Sequence, residues 1–304
     1  MEVSFMVFLP KISVAIPTFN RKEKLKCALE PLFNQTYPKN KYEIIIVDDG
    51  STDGTNDLLK HFQKKFSNLI YRKQNHRGPA AARNLSIKKS TGEIIFFTDD
   101  DCIVPRNWIE KFVRVYQKYL GVAGVGGYLE ADEYTLKTNI FARYESYIAR
   151  IAYRTDRGEY LGGFECPAGG TANISYRKNI LEEVGGFDET YPVAAGEDAD
   201  LKLRICLKGY KLAYVPVKVT HIQDYGMQRF VKQNIVRGAG EAYFSKKWGK
   251  ILGGRGKEAQ YGVGLDIVLL LKMLKELRPD MLCLFLLSTL AKFGGRWKEK
   301  VIYR

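Results

Sequence analysis

Three features predict an α/β protein built on a doubly wound, mostly parallel sheet flanked by helices, with a helical C-terminal tail. Residues 42–47 (YEIIIV) and 93–97 (EIIFF) are nearly continuous β-branched or aromatic runs, the mark of strands buried on both faces. Segments of helical spacing separate such runs in regular alternation. Acidic and glycine-containing turns follow the strands, where a sheet of this kind places its ligands.

In chain order, 12–16 is a short apolar strand stopped by Pro17, and 22–33 follows with helical spacing. The strand at 42–47 leads to a helix over 57–66, a strand at 69–72, a helix over 80–89 and the strand at 93–97. Beyond Gly121 the pattern loosens. It runs through a long helix over 138–153, a glycine-rich stretch (LGGFECPAGGTANISYR), GGFDE and a helix over 198–207. A short strand at 215–220 precedes His221, and the remainder reads as helical. The chain contains no internal repeat, and 304 residues is about two domains' worth.

Composition narrows the function. A 45% hydrophobic and 12% aromatic chain is globular rather than disordered. Forty-eight Lys and Arg against 34 Asp and Glu leave a net charge of +14, which attracts phosphates, nucleic acid or an anionic membrane. No helix-turn-helix or RNA-recognition motif accompanies that charge, so nucleic acid is not an expected partner. Five scattered cysteines without CxxC argue against a zinc site or disulfide scaffold and for a reducing compartment. The apolar opening, MEVSFMVFLP, lacks a basic start and ends too soon for a secretory signal, so a cytoplasmic location is expected.

The chemistry concentrates at strand ends. The first strand delivers Pro17-Thr18-Phe19-Asn20-Arg21 instead of GxGxxG, so the dinucleotide fingerprint is missing. The second ends in Asp48-Asp49-Gly50-Ser51. Adjacent carboxylates there are costly unless a ligand, metal or backbone N–H uses them, although a turn with Asp53 or Thr55 capping the next helix also fits. Thr98-Asp99-Asp100-Asp101 follows the strand at 93–97 and forms a hard-oxygen site suited to Mg²⁺ or Mn²⁺. Glu197 and Asp198 open a helix, where the macrodipole also favours acids.

Together SVAIPTFNR, VDDGSTDGT, ARN at 82–84, FTDDDC, GGTANISYR, GGFDE and GEDADLKLR resemble glycosyltransferase family 2, inverting enzymes of the GT-A fold. The resemblance covers roughly residues 11–221. It implies a catalytic domain over 1–221, with a nucleotide-binding half at about 11–105 and an acceptor half at about 121–221. A basic, apolar helical region follows at 222–304. The implied reaction moves a sugar from a nucleoside-diphosphate sugar, UDP being the first choice, to a hydroxyl of a saccharide or lipid-linked acceptor. By the same resemblance Pro17, Phe19 and Asp49 line the base, Arg83 holds phosphate or sugar, and Asp100 completes the donor site. Asp99 and Asp101 become the metal-binding DxD pair, with His221 either a further ligand or simply hydrogen-bonded in place. Asp198 becomes the catalytic base, while Glu197 and Asn173 face sugar or acceptor, Asn173 serving a turn equally well. Two alternatives stay within the family: a catalytically silent membrane scaffold, and a polyprenyl-phosphate glycosyltransferase, whose ionised acceptor needs no base.

The tail from Lys246 to Arg304 holds thirteen Lys or Arg against five Asp or Glu. Its apolar segments, 265–277 and 281–291, fall short of the about 18–20 residues needed to span a bilayer. Lys246, Lys247, Lys250, Arg255 and Lys257 precede them, and Lys292, Arg296, Lys298 and Lys300 follow. This pattern suits peripheral contact with anionic lipid on the inner face of the cell membrane, a helical lid on the catalytic domain, or an oligomer contact.

Overall fold

The computed structural model describes residues 9–153, 155–156, 158–222, 224–252, 263–276 and 278–302. Strand β1 (Ile12–Thr18), helix α1 (Lys22–Phe33), β2 (Tyr42–Asp48), α2 (Thr55–Lys65), β3 (Leu69–Lys73), α3 (Pro79–Lys89) and β4 (Ile94–Phe97) alternate as the sequence predicts. β5 (Cys102–Ile103), α4 (Trp108–Lys118), β6 (Val122–Glu130), α5 (Glu133–Thr138), α6 (Ile140–Ala152) and β7 (Tyr160–Gly162) follow. Then come β8 (Ile174–Arg177), α7 (Lys178–Glu183), α8 (Glu197–Leu207) and β9 (Lys211–His221). The chain finishes in α9 (Met227–Trp248), α10 (Val263–Lys275) and α11 (Pro279–Ile302).

The strands form one mixed sheet ordered β3-β2-β1-β4-β8-β6-β9-β5, with β7 paired to β9. β1 to β4 pair in parallel, β8 is antiparallel to both β4 and β6, and β9 runs parallel to β6. The carboxyl ends of β1, β2, β4, β6 and β9 therefore lie along one edge. Side chains alternate between two cores. Ile12, Val14, Ile16, Ile44, Ile46, Ile94 and Phe96 pack with α1, α2 and α4, among them Leu29, Leu59 and Trp108. Ala15, Ile95 and Phe97 face the opposite layer with Ile180 of α7 and Leu201 of α8.

Several boundaries differ from the sequence expectation for identifiable reasons. β1 continues through Pro17 because its ladder with β4 ends at Ala15, so the missing N–H forfeits no bond on that side. The expected helix over 138–153 is α6 at Ile140–Ala152; a short α5 precedes it, and the Asn139 side chain caps α6 through the N–H groups of Phe141 and Ala142. β6 and α4 were not anticipated. Gly124, Gly126 and Gly127 break the hydrophobic pattern of β6, yet a Cβ there would fall 2.5 Å from Tyr176, 2.6 Å from Ile174 and 2.2 Å from the Val217 carbonyl.

The C-terminal helices pack directly onto the α/β unit. Leu269 and Met273 of α10, Met281, Leu284 and Phe285 of α11 and Phe230 of α9 cluster with Tyr144 of α6. α9 and α11 meet backbone to backbone: a Cβ at Gly238 would sit 2.0 Å from the Lys292 carbonyl oxygen, and one at Gly295 2.0 Å from that of Ile235. A Cβ at Gly240 would similarly strike the Ala195 carbonyl oxygen at 2.3 Å, just ahead of α8. Lys247 closes the junction, its Nζ lying 2.6 Å from both Asp188 Oδ2 and Asp200 Oδ1. Among the described residues no helix is long and apolar enough to cross a membrane.

The Asp188–Lys247 contact gives this junction a pH signature. Burial opposes ionisation of Asp188, but hydrogen bonds from Lys247 and Thr190 overcome it and hold the carboxyl down to about 2. That lies below the unfolded carboxylate, near about 3.9. The stabilisation is therefore fully present above the unfolded value and is lost as pH falls through the folded one. Asp188→Asn should lower the thermal midpoint at neutral pH, with the gap from the parent closing as pH approaches about 2. Thermal melts of both proteins across acid pH check this; a gap independent of pH counts against it.

Candidate active site

Three loops at the carboxyl edge are stitched together before any ligand is considered. Asn20, held at φ 51°, accepts the Thr52 N–H through Oδ1 and donates its own N–H to Ser51 Oγ. The Thr18 hydroxyl donates to Asp100 Oδ2 at 2.8 Å. Arg21 Nη1 lies 3.0 Å from both Asp100 Oδ1 and Asp101 Oδ2, which compensates two of the three neighbouring carboxylates. Asp100 is buried and spends both oxygens on these partners. Burial, with Asp101 adding repulsion, overrides the attraction of Arg21 and pushes its carboxyl up to about 6.

Asp101 is held in the opposite direction. Antiparallel pairing of β5 with β9 sets Cys102 opposite His221, and His221 Nε2 lies 3.3 Å from Asp101 Oδ1. Arg229 from α9 approaches Asp101 Oδ2 at 3.9 Å. Burial opposes ionisation, but His221, Arg21 and Arg229 outweigh it and bring Asp101 down to about 2.

The buried Arg83 guanidinium on α3 crosses the gap between β4 and α8. Its Nη2 lies 2.9 Å from Asp99 Oδ1 and its Nη1 3.1 Å from Glu197 Oε1. Among the described residues Arg83 Nε and Glu197 Oε2 have no hydrogen-bond partner. Burial and the neighbouring Asp198 raise the Glu197 carboxyl against the pull of Arg83. Asp198 stays partly open to solvent at the mouth of α8. One of its oxygens accepts the Ala199 N–H at 2.8 Å, and burial raises its carboxyl as well.

The donor set suits a divalent cation on chemical grounds. Asp101, Cys102 and His221 bring potential ligand atoms within 4.8 Å of one another, and the partly exposed Asp99 follows the same strand. Burial and the adjacent carboxylates push the Cys102 thiol well up, so it stays protonated and is a poor ligand. The Asp101 carboxylate and the His221 imidazole remain, an oxygen and nitrogen donor pair of the kind that suits Mg²⁺ or Mn²⁺.

Several expected contacts are employed differently. Pro17 is buried inside β1 rather than lining a cleft. Asp49 is buried, and its oxygens take Gln74 Nε2 at 2.7 Å, the Arg77 and Gly78 N–H groups at 2.9 and 2.8 Å, and His76 Nδ1 at 2.9 Å. Its accepting capacity orders the loop at 74–78 instead of waiting for a base. Asn173 is likewise spent, because Oδ1 accepts from Trp108 Nε1 while Nδ2 donates to the Tyr128 and Val217 carbonyls. Arg83, expected at phosphate or sugar, is buried and bridges Asp99 and Glu197. Phe19 is 40% exposed and stacked on His76 with centroids 4.2 Å apart. Asp101 contacts His221, and Arg83 joins Asp99 to Glu197, the neighbour of Asp198.

Sequence reasoning missed Arg21, His76 and Arg229. The first had a visible signal: an arginine directly after strand one, in a fold that gathers strand ends, is the nearest counter-charge for Asp99-Asp100-Asp101.

Comparison with known proteins agrees with this architecture. The family model described as "Glycosyl transferase family 2" matches residues 13–185. The chain is 33% identical over 216 residues to the glycosyltransferase AglE of Haloferax volcanii, covering 68% of this chain and 64% of that protein. It is 31% identical over 250 residues, 78% of this chain and 74% of the other, to a Methanococcus voltae protein. That relative is named dolichyl N-acetyl-alpha-D-glucosaminyl phosphate 3-beta-D-2,3-diacetamido-2,3-dideoxy-beta-D-glucuronosyltransferase. Among solved structures, mannosyltransferase PcManGT from Pyrobaculum calidifontis, in complex with GDP-Man and Mn²⁺, superposes with a TM-score of 0.68 at 18% identity. That match covers 96% of this chain and 87% of the other, and it shows that the two share the GT-A fold.

Removing Arg83 leaves Glu197 buried without its cation, the situation that typically costs about 3–5 kcal/mol. Arg83→Leu should therefore unfold at markedly lower urea concentration than the parent, with Arg83→Lys intermediate. Equal midpoints for Arg83→Leu and the parent would show that the bridge contributes nothing.

Proposed function

Because the chain belongs to glycosyl transferase family 2, we propose that it moves a sugar from a nucleoside-diphosphate sugar to a hydroxyl of a saccharide or lipid-linked acceptor, inverting the anomeric centre. UDP-sugars are the first donors to test. The observation that carries the reading is the Asp99–Arg83–Glu197 bridge, which sets the α8 terminus bearing Asp198 beside the carboxyl ends of the strands that carry Asp101 and His221. The lipid-linked option draws on the Methanococcus voltae relative, whose name specifies a dolichyl phosphate-linked sugar.

Each residue then has a task. Phe19, backed by His76, offers a flat face for the nucleotide base. Asp99, Asp101 and His221 would hold Mg²⁺ or Mn²⁺. A bound divalent ion supplies Lewis-acid neutralisation of charge on the departing diphosphate. Arg21 and Asp100 are positioning residues that keep the loop after β4 in register with the loop after β1. Asp198 accepts the acceptor hydroxyl's proton as that oxygen bonds to the sugar's anomeric carbon and the bond to the diphosphate breaks. Its Oδ1 accepts the Ala199 N–H, which orients the carboxylate at the helix terminus. The raised carboxyl brings its proton affinity closer to a working pH, where a general base is most effective. Glu197 remains buried on Arg83 and orients the helix terminus. In this reading 1–221 is the catalytic domain, with 222–304 as the helical region behind it.

Incubation of purified protein with a panel of nucleotide sugars and divalent cations, followed by detection of released nucleoside diphosphate, tests the assignment. Asp198→Asn should keep donor-induced thermal stabilisation but lose transfer by ~10²- to 10⁴-fold, the usual contribution of a general base. Near-normal transfer by Asp198→Asn would move the base elsewhere or indicate a phosphate acceptor. The product's anomeric configuration, read by NMR, should be opposite to the donor's.

Chelation by EDTA should abolish turnover, and added Mn²⁺ or Mg²⁺ should restore it. Asp101→Ala should weaken both donor binding and turnover. Full activity in EDTA would remove the cation from the reaction.

A further inference from the structure

α10 and α11 each carry two apolar stripes, and only one is used. On α11, Met281, Leu284, Phe285, Ser288 and Ala291 are buried towards α6 and α9. Leu286, Leu290, Phe293 and Trp297, spaced by four, three and four residues, form a second stripe on the opposite side. They are 53%, 70%, 67% and 64% exposed. α10 repeats the arrangement, with Leu269 and Met273 buried and Val268, Leu271 and Leu274 turned away and at least half exposed. An apolar surface of this kind marks an interaction site.

We propose that this paired face of α10 and α11 docks the protein on an anionic lipid bilayer, with Phe293 and Trp297 inserted among the headgroups. Charge selects the partner. The chain from Lys246 onward holds thirteen Lys or Arg against five Asp or Glu, and Lys272 and Lys275 are exposed beside the α10 stripe. Each basic side chain near such a surface adds attraction, and apolar burial completes reversible binding. A second copy of this chain would bring an equally basic tail against the first and be repelled. Neither helix crosses the bilayer, so both lie along its surface. The buried stripes fix the hairpin to α6 and α9, which makes the docking surface a rigid part of the protein. The proposal stands apart from the transfer reaction but adds to it, because a lipid-linked acceptor would then be met at the surface where the protein sits.

Flotation of the full chain with vesicles tests this in the absence of any sugar donor or acceptor, so its failure and that of the transferase reading are separable. The protein should float with vesicles of phosphatidylcholine and phosphatidylglycerol, float less with phosphatidylcholine alone, and be partly released by high salt. Combining Leu290→Ser, Phe293→Ser and Trp297→Ser should cut the floated fraction by about tenfold or more with an unchanged thermal midpoint, since all three side chains are exposed. Lys272→Glu with Lys275→Glu should weaken binding to the anionic vesicles only. Equal flotation of the triple variant and the parent overturns the proposal, as does failure of the parent to float. A concentration-dependent dimer without vesicles, abolished in the triple variant, also overturns it and assigns the face to a second copy.

Discussion

Crowded carboxylates at one edge of a sheet are the constraint around which the structure is arranged. Asp99, Asp100, Asp101, Glu197 and Asp198 would repel one another if left together in a partly desolvated cleft. Arg83 resolves part of that conflict by lying between Asp99 and Glu197, two acids far apart in the chain. Arg21 does the same for Asp100 and Asp101. The residual imbalance is divided unequally. Asp101 is held strongly ionised, whereas Asp100 and Glu197 bind protons more readily than ordinary carboxyls. The acids at the strand ends are thereby held together by the chain's own arginines.

The same constraint explains the intimacy of the C-terminal helices with the site. α9 supplies Arg229 beside Asp101 and, through Lys247 and Trp248, two donors to the buried Asp200 one turn into α8. Gly240 lets its backbone approach Ala195, two residues before Glu197. The α8 terminus is thus braced from behind by a helix and from the front by Arg83. α10 and α11 share a core with α6, so one side of the helical region belongs to the fold and the other side is free to face a different environment.

The parallel half of the sheet was legible in the sequence because strands buried on both faces are apolar along nearly their whole length, and 44–47 and 94–97 are. The acidic strand ends were legible for a related reason: carboxylates following a buried strand require a partner, which marks them as a site before the partner is known. The second half was less visible. β6 depends on glycines that admit Tyr176, Ile174 and the Val217 carbonyl, and close packing of that sort replaces the hydrophobic pattern from which strands are read. β8 lies within a glycine-rich segment for which periodicity offers no direction.

What the sequence determined by itself is the fold class, the order of the elements from β1 to β4 and the set of acids placed at the strand ends, since each depends on local pattern and chain order. Tertiary structure decided how those residues are employed. Asp49 and Asn173 look like ligand contacts in a linear reading, yet each is saturated by groups that are distant in sequence: the loop at 74–78 for one, Trp108, Tyr128 and Val217 for the other. Arg83 looks like a phosphate ligand and is a buried bridge. A side chain has a fixed hydrogen-bonding capacity, and whether that capacity is left for a ligand depends on which distant groups the fold brings within about 3 Å of it.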